Sequence, residues 1–379
     1  MEKAIVYEPW AHGEAHAEFN KAFLQTLSFI YDEIVFFGDS NHINVLEEYK
    51  YNKRIVFNSI KITNYGSLKG KITSVFREIC NIERIKKEDK NAGIFFSYGA
   101  AHSMLIAEKL LRNRKVFYVQ HGQIELINRN LSLLNLNHYI LPALRKLPAK
   151  HKIIVLADFI KDNLLKQCPY LEEKILSIDH PFISTDCKAE NNVGKRDFSE
   201  INIGTIGVGT KDKGIELLND LASSFRNKDT KTNFYHIGRI YHDVNIDEKL
   251  VKLPFKSESL IPREDFLQEI SKLDFILFLY PKDSYKFTAS GAIFDAFLLG
   301  KPVIALKNDY FDYLFKKTAN KIGFLCNDFE ELKSQISKLK SIGFEKYELL
   351  SRNSFEAIKV FSPEIVSGLL KKQLGASSC

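Results

Sequence analysis

Short apolar runs alternate with longer amphipathic segments along the first half of the chain. The runs are continuous and rich in β-branched and aromatic residues, as expected for the buried strands of a parallel sheet covered on both faces. Strands are predicted at 4–7, 34–37, 54–57, 94–96, 116–119 and 153–156. Helical spacing of apolar positions separates them, for example over 18–30 and 101–111. This alternation predicts an open parallel α/β domain.

The alternation resumes after a polar, aperiodic stretch at 184–200, which we interpret as a linker. In the second half strands are predicted at 201–206, 233–237, 275–280 and 302–306, and helices at 214–225, 263–272, 289–299 and 329–339. We expect an N-terminal domain over 1–185 and a C-terminal domain over 198–358, with a last helix at about 360–379 packing back on the first domain. The predicted fold class is α/β, with two Rossmann-like domains facing each other across a cleft. Ligands collect at the carboxyl ends of parallel strands, so such a cleft suits two substrates.

The segment 280–305 carries the most informative motif of the chain. An apolar strand and a polar loop precede Ser290 and Gly291, where a helix is predicted to begin, and Asp295 follows about one turn later. The free N–H groups and positive dipole end of such a helix favour phosphate. Asp295 is placed to accept hydrogen bonds from ribose hydroxyls. The alternative is purely structural: Ser290 caps the helix, and Asp295 is a first-turn carboxylate.

A second glycine-rich turn opens the C-terminal domain within 203–214. Gly207 and Gly209 permit close backbone approach, and Lys213 supplies a positive charge for a phosphate group. Arg239, after the next predicted strand, is a candidate for a second diphosphate contact. The alternative is that the Lys213 and Arg239 side chains are solvent-exposed and bind no ligand.

The loop after the first strand contains the candidate proton acceptors His12, Glu14 and His16. A histidine titrates near neutral pH and suits a general base that removes a hydroxyl proton. His121, at the end of the strand at 116–119, is a further candidate. The alternatives are that Glu14 is an ordinary first-turn acid, that His12 and His16 are solvated, and that His121 caps a turn.

The segment 280–305 resembles the donor-binding signature of GT-B glycosyltransferases, especially the family-4-like bacterial enzymes. The resemblance implies a metal-independent, hexosyltransferase-like enzyme that uses a nucleoside-diphosphate sugar as donor and no cofactor. It assigns the donor to Gly209, Lys213, Arg239, Ser290, Gly291 and Asp295, with His121 near the donor sugar. It also implies a saccharide or lipid-linked glycan acceptor, bound by the N-terminal domain, in polysaccharide or glycolipid biosynthesis. His12, Glu14 or His16 would then be the base.

One departure from the family pattern bears on the chemistry. The family normally has a first carboxylate seven residues before the second, and here that place falls on Phe287 and Thr288. The nearest acid is Asp283, in the loop. We therefore expect a divergent or inverting branch. Two alternatives remain open: a sugar-nucleotide epimerase on the same fold, and a non-catalytic GT-B binding module.

Composition narrows the class of partner. The chain is 45% hydrophobic and 27% charged, a composition typical of globular proteins. Its net charge of +7 suits a phosphate-bearing ligand or an anionic membrane surface. It has no nucleic-acid-binding motif and no strand-GxGxxG-helix unit for a nicotinamide cofactor. The five cysteines are scattered, as reduced thiols would be, and predict neither a disulfide framework nor a metal site.

The expected location is the cytoplasm. The N-terminus leads directly into a strand without a signal-peptide pattern, and the longest apolar runs are too short to span a bilayer. The segment 131–152 combines apolar residues with Arg145, Lys146, Lys150 and Lys152, which suits attachment to the inner face of the membrane. A solvated helix with a basic face is the alternative.

Overall fold

The computed structural model describes residues 2–62, 68–128, 136–184, 198–226, 231–255 and 261–376. The chain divides into two compact units. The first consists of Met1–Ile183, Phe287–Ala289 and Val360–Cys379, and the second of Ser184–Lys286 and Ser290–Lys359. Most of the predicted linker, residues 185–197, lies outside the described residues.

The first unit is built on a seven-stranded sheet. Its strands are β1 (Lys3–Tyr7), β2 (Glu33–Gly38), β3 (Arg54–Ser59), β4 (Gly93–Phe96), β5 (Val116–Gln120), β6 (His151–Val155) and β7 (Ile175–Ser177). All neighbours pair in parallel, in the order β3-β2-β1-β4-β5-β6-β7. β1, β4 and β5 are almost wholly buried, as their continuous apolar runs predict.

Helices connect these strands. They are α1 (Ala17–Ser28), α2 (Ser40–Glu47), α3 (Leu68–Lys86), α4 (Ala101–Leu110), α5 (Ile140–Arg145) and α6 (Asp158–Gln167). Phe19, Phe23 and Leu27 recur at helical spacing on α1 and are buried in the core of this unit. Asp39 caps α2, because its carboxylate accepts the backbone N–H groups of Asn41 (3.0 Å) and His42 (3.4 Å).

The second unit repeats the plan on a six-stranded parallel sheet. Its strands are β8 (Glu200–Ile206), β9 (Lys231–Ile237), β10 (Val251–Lys252), β11 (Phe275–Phe278), β12 (Val303–Leu306) and β13 (Gly323–Cys326), in the order β10-β9-β8-β11-β12-β13. Its helices are α7 (Leu217–Phe225), α8 (Arg263–Ser271), α9 (Ala292–Leu298), α10 (Asp309–Lys317), α11 (Phe329–Ser337) and α12 (Phe344–Ala357). The predicted class, α/β with two parallel sheets, is confirmed.

The last helix, α13 (Pro363–Ala376), belongs to the first unit. Val366 and Leu370 are fully buried in that unit's core, and the Gln373 side chain accepts a hydrogen bond from the backbone N–H of Ser177 (2.8 Å). α13 begins at Pro363, close to the start predicted for the last helix at about 360. Proline suits this first helical position because its fixed φ matches the helix and no N–H is wanted there.

The strand order reverses once in each sheet. In the first unit the reversal lies between β1 and β4, and in the second between β8 and β11. The loops leaving the carboxyl ends of such adjacent strands diverge to opposite faces and leave a crevice, which is where open α/β sheets bind ligands. Most of the candidate residues follow β1, β8 or β11, whereas His121 follows β5 and Arg239 follows β9.

Candidate active site

Glu8 directly follows β1 and holds the first loop of the first unit. Its carboxylate is fully buried and accepts the backbone N–H groups of Trp10 (2.9 Å) and Ala11 (3.0 Å). It also accepts the Asn20 amide (3.0 Å) and the Ser97 hydroxyl (2.9 Å) from beyond β4. Four donors offset the cost of burying a carboxylate. Glu8 is not among the residues predicted from the sequence, although an acid directly after a buried strand was a signal for a role.

A second network fixes the middle of the same loop. The Asn20 amide nitrogen lies 2.9 Å from His42 Nε2, and His42 Nδ1 lies 2.7 Å from the carbonyl oxygen of Gly13. An amide nitrogen donates and a carbonyl accepts, so His42 accepts at Nε2 and donates at Nδ1. This pattern requires a neutral imidazole. Asn20 therefore links Glu8 to His42 and ties the loop to α2.

His16 closes the loop, immediately before α1, in a left-handed backbone conformation with φ 58° and ψ 8°. Its ring centroid lies 4.9 Å from that of Trp10, 5.6 Å from Tyr98 and 4.7 Å from His121. Its Nδ1 is buried and has no hydrogen-bond partner among the described residues. A non-glycine residue rarely adopts this backbone conformation, and such strain is typically found at functional positions.

Burial keeps the histidines of this cluster neutral. It lowers the pKa of His16 from 6.5 to about 4, with the nearby His180 and His42 adding to the effect. It also lowers the pKa of His121 and of His180 to about 3, and each of these rings further disfavours charge on a neighbour. At neutral pH the imidazoles are therefore uncharged. His121 Nε2 donates to the carbonyl oxygen of Ser97 (2.9 Å).

The structure separates the three predicted proton acceptors. The His16 ring lies against the His121 ring. The residue predicted as a base and the residue predicted to lie near the donor sugar are therefore neighbours. His12 instead pairs with Asp39, with 3.4 Å between Nδ1 and Oδ2, and Glu14 is exposed. Among the predicted acceptors, His16 is thus the one that contacts the ring cluster.

In the second unit, Lys213 lies at the reversal of strand order. It ends a 3-10 turn, Lys211–Lys213, in the loop that leaves β8, and its Nζ lies 3.8 Å from where a side chain on Gly207 would begin. Nζ is 6.0 Å from the ring centroid of Tyr280, which follows β11. The half-buried ammonium thus lies between the two loops of the strand reversal.

Backbone contacts shape this loop. Gly207 has φ +84°, a value that favours glycine, and its N–H donates to Ile237 (2.9 Å), while the Gly209 N–H donates to the carbonyl of Arg239 (2.7 Å). Nearby, His236 bonds to the Thr205 hydroxyl through Nδ1 (2.9 Å). Burial lowers the pKa of His236 to about 4, and the charge of Lys213 acts in the same direction.

Arg239 follows β9, with its guanidinium carbon 5.5 Å from the ring centroid of Tyr241. This distance is within cation–π range, so Tyr241 partly fixes the arginine head. Arg239 is half-buried, and its backbone bond to Gly209 ties it to the loop that carries Lys213. A backbone hydrogen bond therefore joins the two loops that carry Lys213 and Arg239, the cations predicted to contact the diphosphate.

The helix predicted to begin near Ser290 is shorter than expected. α9 has seven residues and no side-chain cap, with Gly291 at the N-cap position. The Ser290 hydroxyl is buried and lies 3.0 Å from the Tyr280 hydroxyl, so the capping alternative for Ser290 is wrong. Gly291 is exposed, and among the described residues no atom beyond its chain neighbours lies within 4 Å of the place where a Cβ would be. Backbone space is therefore open at Gly291.

Asp295 has a partner that the sequence analysis missed. Its carboxylate forms an ion pair with the Arg263 guanidinium from α8, at 2.6 Å, and only 9% of the residue is exposed. The pair orients Asp295, and a carboxylate has acceptor sites beyond those that one guanidinium nitrogen uses. Asp283, the nearest acid to the missing first carboxylate, is exposed and pairs with Lys286 at 2.8 Å.

Two kinds of feature are absent from the described residues. No described helix is long and apolar enough to cross a membrane. Within the same ranges, no group of three or more histidine, cysteine, aspartate or glutamate side chains is arranged to hold a metal ion. The basic segment predicted at 131–152 is described only from 136, where it contains α5 and the start of β6.

No protein-family model matches the chain, and no curated protein sequence does. Solved structures share its fold over the full length. HepE of Anabaena, crystallised with UDP, has a TM-score of 0.62 at 14% identity and covers 98% of this chain and 100% of its own. A glycosyltransferase of Rickettsia africae has a TM-score of 0.63 at 17% identity, covering 100% and 98%.

A third similar structure contains sugar ligands. It is a mutant of S. aureus TarM in complex with fondaparinux, α-GlcNAc-glycerol and UDP, with a TM-score of 0.62 at 13% identity and full coverage of both chains. At such identities the likeness shows the fold. The prediction of the GT-B fold is confirmed.

Proposed function

We propose that this protein is a glycosyltransferase that moves a sugar from a nucleoside-diphosphate sugar to an acceptor hydroxyl. One observation carries the proposal: the Lys213 ammonium lies beside Gly207 at the strand reversal of the second unit. The fold adds support, since two of the similar structures contain UDP. The ammonium of a half-buried lysine beside glycine backbone suits a diphosphate.

On the donor side, Lys213 and Arg239 neutralise the diphosphate. When the bond from the anomeric carbon to the diphosphate oxygen breaks, its electron pair stays on the diphosphate, and these cations stabilise the charge that develops. Backbone N–H groups at Ser290 and Gly291 contribute further donors, and Gly209 lets the backbone approach the diphosphate closely. Asp295, oriented by Arg263, accepts hydrogen bonds from the ribose.

On the acceptor side, His16 is the base. Burial lowers its pKa to about 4, so at neutral pH the ring is uncharged and able to accept a proton, as a weaker base than an ordinary histidine. As the acceptor oxygen attacks the anomeric carbon, its proton passes to the His16 imidazole. His121, whose ring lies against that of His16, is assigned to the donor sugar. His12 and Glu14 lie on the same loop and remain the alternative bases.

The proposal extends to the pathway. The acceptor is a saccharide or lipid-linked glycan in polysaccharide or glycolipid assembly, the transferred sugar is a hexose, and the reaction needs no metal. The enzyme acts in the cytoplasm at the inner face of the membrane, with Arg145, Lys146, Lys150 and Lys152 towards anionic headgroups. Clustered basic side chains near apolar ones support that contact.

Calorimetry with UDP-, GDP-, CMP- and dTDP-sugars tests the donor site. We expect one of the three nucleoside-diphosphate classes to bind the wild-type protein and CMP-sugars, which have a single phosphate, not to bind. Lys213→Ala should weaken the donor binding about ten- to a hundredfold, as for a lost charge-assisted hydrogen bond. Lys211→Ala is the matched control, because Lys211 is exposed in the same turn. Absence of binding by every nucleotide sugar would contradict the proposal. Conversion of a bound donor without any acceptor would indicate an epimerase instead.

A further inference from the structure

Trp10 is the only tryptophan of the chain, and 38% of it is exposed. It lies in the loop after β1, at the strand reversal of the first unit. Leaving much of the largest aromatic side chain in water forgoes burial energy. Its place in a loop at the edge where open α/β sheets bind ligands points to a binding role for the exposed part of the ring.

The Trp10 ring is firmly mounted. One face stacks on Tyr98, with centroids 5.1 Å apart and 15° between the planes, and the His16 ring meets it edge-on at 4.9 Å. Its backbone N–H donates to the buried Glu8 carboxylate (2.9 Å). A rigid aromatic surface loses little conformational entropy when a ligand covers it.

We infer that the exposed part of the Trp10 ring is the platform on which a pyranose ring of the acceptor stacks, an inference that rests on the proposed function. The face of an aromatic ring carries partial negative charge, and a pyranose presents weakly positive C–H groups on its flat side. The hydroxyls at the sugar's rim then lie near His16, the proposed base, whose ring contacts that of Trp10.

A nucleobase also stacks on tryptophan, but the surroundings favour a neutral sugar. The rings around Trp10 are Tyr98 and His16, and His16 in turn contacts His121. Burial holds the pKa of both histidines far below neutral pH, so neither offers positive charge to a nucleotide phosphate. The two cations proposed for the diphosphate, Lys213 and Arg239, belong to the second unit.

Intrinsic fluorescence reports on this site directly, because Trp10 is the sole tryptophan. The full chain is titrated with methyl glycosides of glucose, galactose, mannose and N-acetylglucosamine, and separately with uridine. We expect a saturable change in emission with at least one pyranoside and none with uridine. Unchanged emission with every pyranoside overturns the inference. A change with uridine that no pyranoside matches reassigns Trp10 to a nucleobase and overturns it equally.

Variants separate this inference from the proposed function. Trp10→Ala is expected to raise the KM for acceptor about five- to tenfold, the worth of one ring contact, and Trp10→Phe to recover part of it. Donor affinity, measured by calorimetry, stays unchanged. The control is Phe76→Ala, an equally truncated aromatic that is 68% exposed on α3. An unchanged KM for the acceptor in Trp10→Ala refutes the role of Trp10 as a platform. Failure of the wild-type protein to bind any nucleotide sugar refutes the proposed function.

Discussion

His16 shows how one residue combines strain with chemistry. Its left-handed backbone, φ 58°, costs a residue with a Cβ roughly 1–2 kcal/mol, which glycine would not incur. The loop nevertheless holds a histidine there, with its ring against Trp10 and His121. Such strain persists only where the surroundings enforce it, and here Glu8 and His42 fix the loop.

Two truncations of His16 separate these effects. His16→Gly and His16→Ala both remove the ring, so both are expected to lower turnover at least about a hundredfold while donor affinity is retained. The glycine variant should be the more stable by about 1 kcal/mol, because it adopts positive φ without strain. Urea denaturation measures the difference. Equal stabilities of the two variants would show that the left-handed backbone at position 16 is not strained. Turnover retained in both variants would show that His16 is not the base.

At the scale of elements, continuous apolar runs were enough to predict ten strands, from β1 to β12. The strands that the sequence did not reveal are β7, β10 and β13. β7 and β10 have three and two residues, too few for any periodicity, and three of the four β13 residues are only half-buried. Such strands form because a neighbouring strand offers hydrogen bonds, which a local pattern does not record.

Part of the candidate site was proposed from the sequence. His16, Lys213 and Arg239 were chosen for their side-chain chemistry, their places in loops after predicted strands and the resemblance to a known family. Arg263 was missed because its pairing with Asp295 joins residues 32 positions apart. Glu8 was missed because two of its four donors, Asn20 and Ser97, come from outside its loop. Contacts of this kind depend on the assembled fold.

Gly214 joins two elements of the second unit. It ends the 3-10 turn after Lys213 with φ +64°, and a Cβ there would lie 2.1 Å from the carbonyl oxygen of Leu279. Gly214→Ala therefore adds a backbone clash to the strain of positive φ. We expect it to lower the free energy of unfolding by more than the roughly 1–2 kcal/mol of strain alone, and to weaken donor binding by displacing Lys213.

Gly343→Ala is the control for this prediction. Gly343 has φ +72° with nothing within 4 Å of the added Cβ, so the substitution introduces strain without a clash. Urea denaturation compares the two stabilities, and calorimetry compares donor affinity, which Gly343→Ala should preserve. Equal losses of stability in both variants would show that a Cβ at position 214 does not clash with the Leu279 carbonyl.

At the scale of the whole molecule, the two units have similar architecture but different chemistry. Each has a parallel sheet with one reversal of strand order and candidate side chains in the loops beside it. The first unit places neutral histidines and aromatic rings there, and the second places Lys213 and Arg239. This difference is the physical basis for assigning a neutral sugar acceptor to one unit and an anionic donor to the other.

A crystal structure of the protein with bound UDP tests the central claim most directly. We predict the diphosphate within hydrogen-bond distance, about 3 Å, of Lys213 Nζ, next to the backbone at Gly207–Gly209 and the exposed end of α9 at Gly291. UDP bound among the histidines of the first unit, with Lys213 left free of the diphosphate, would contradict the account.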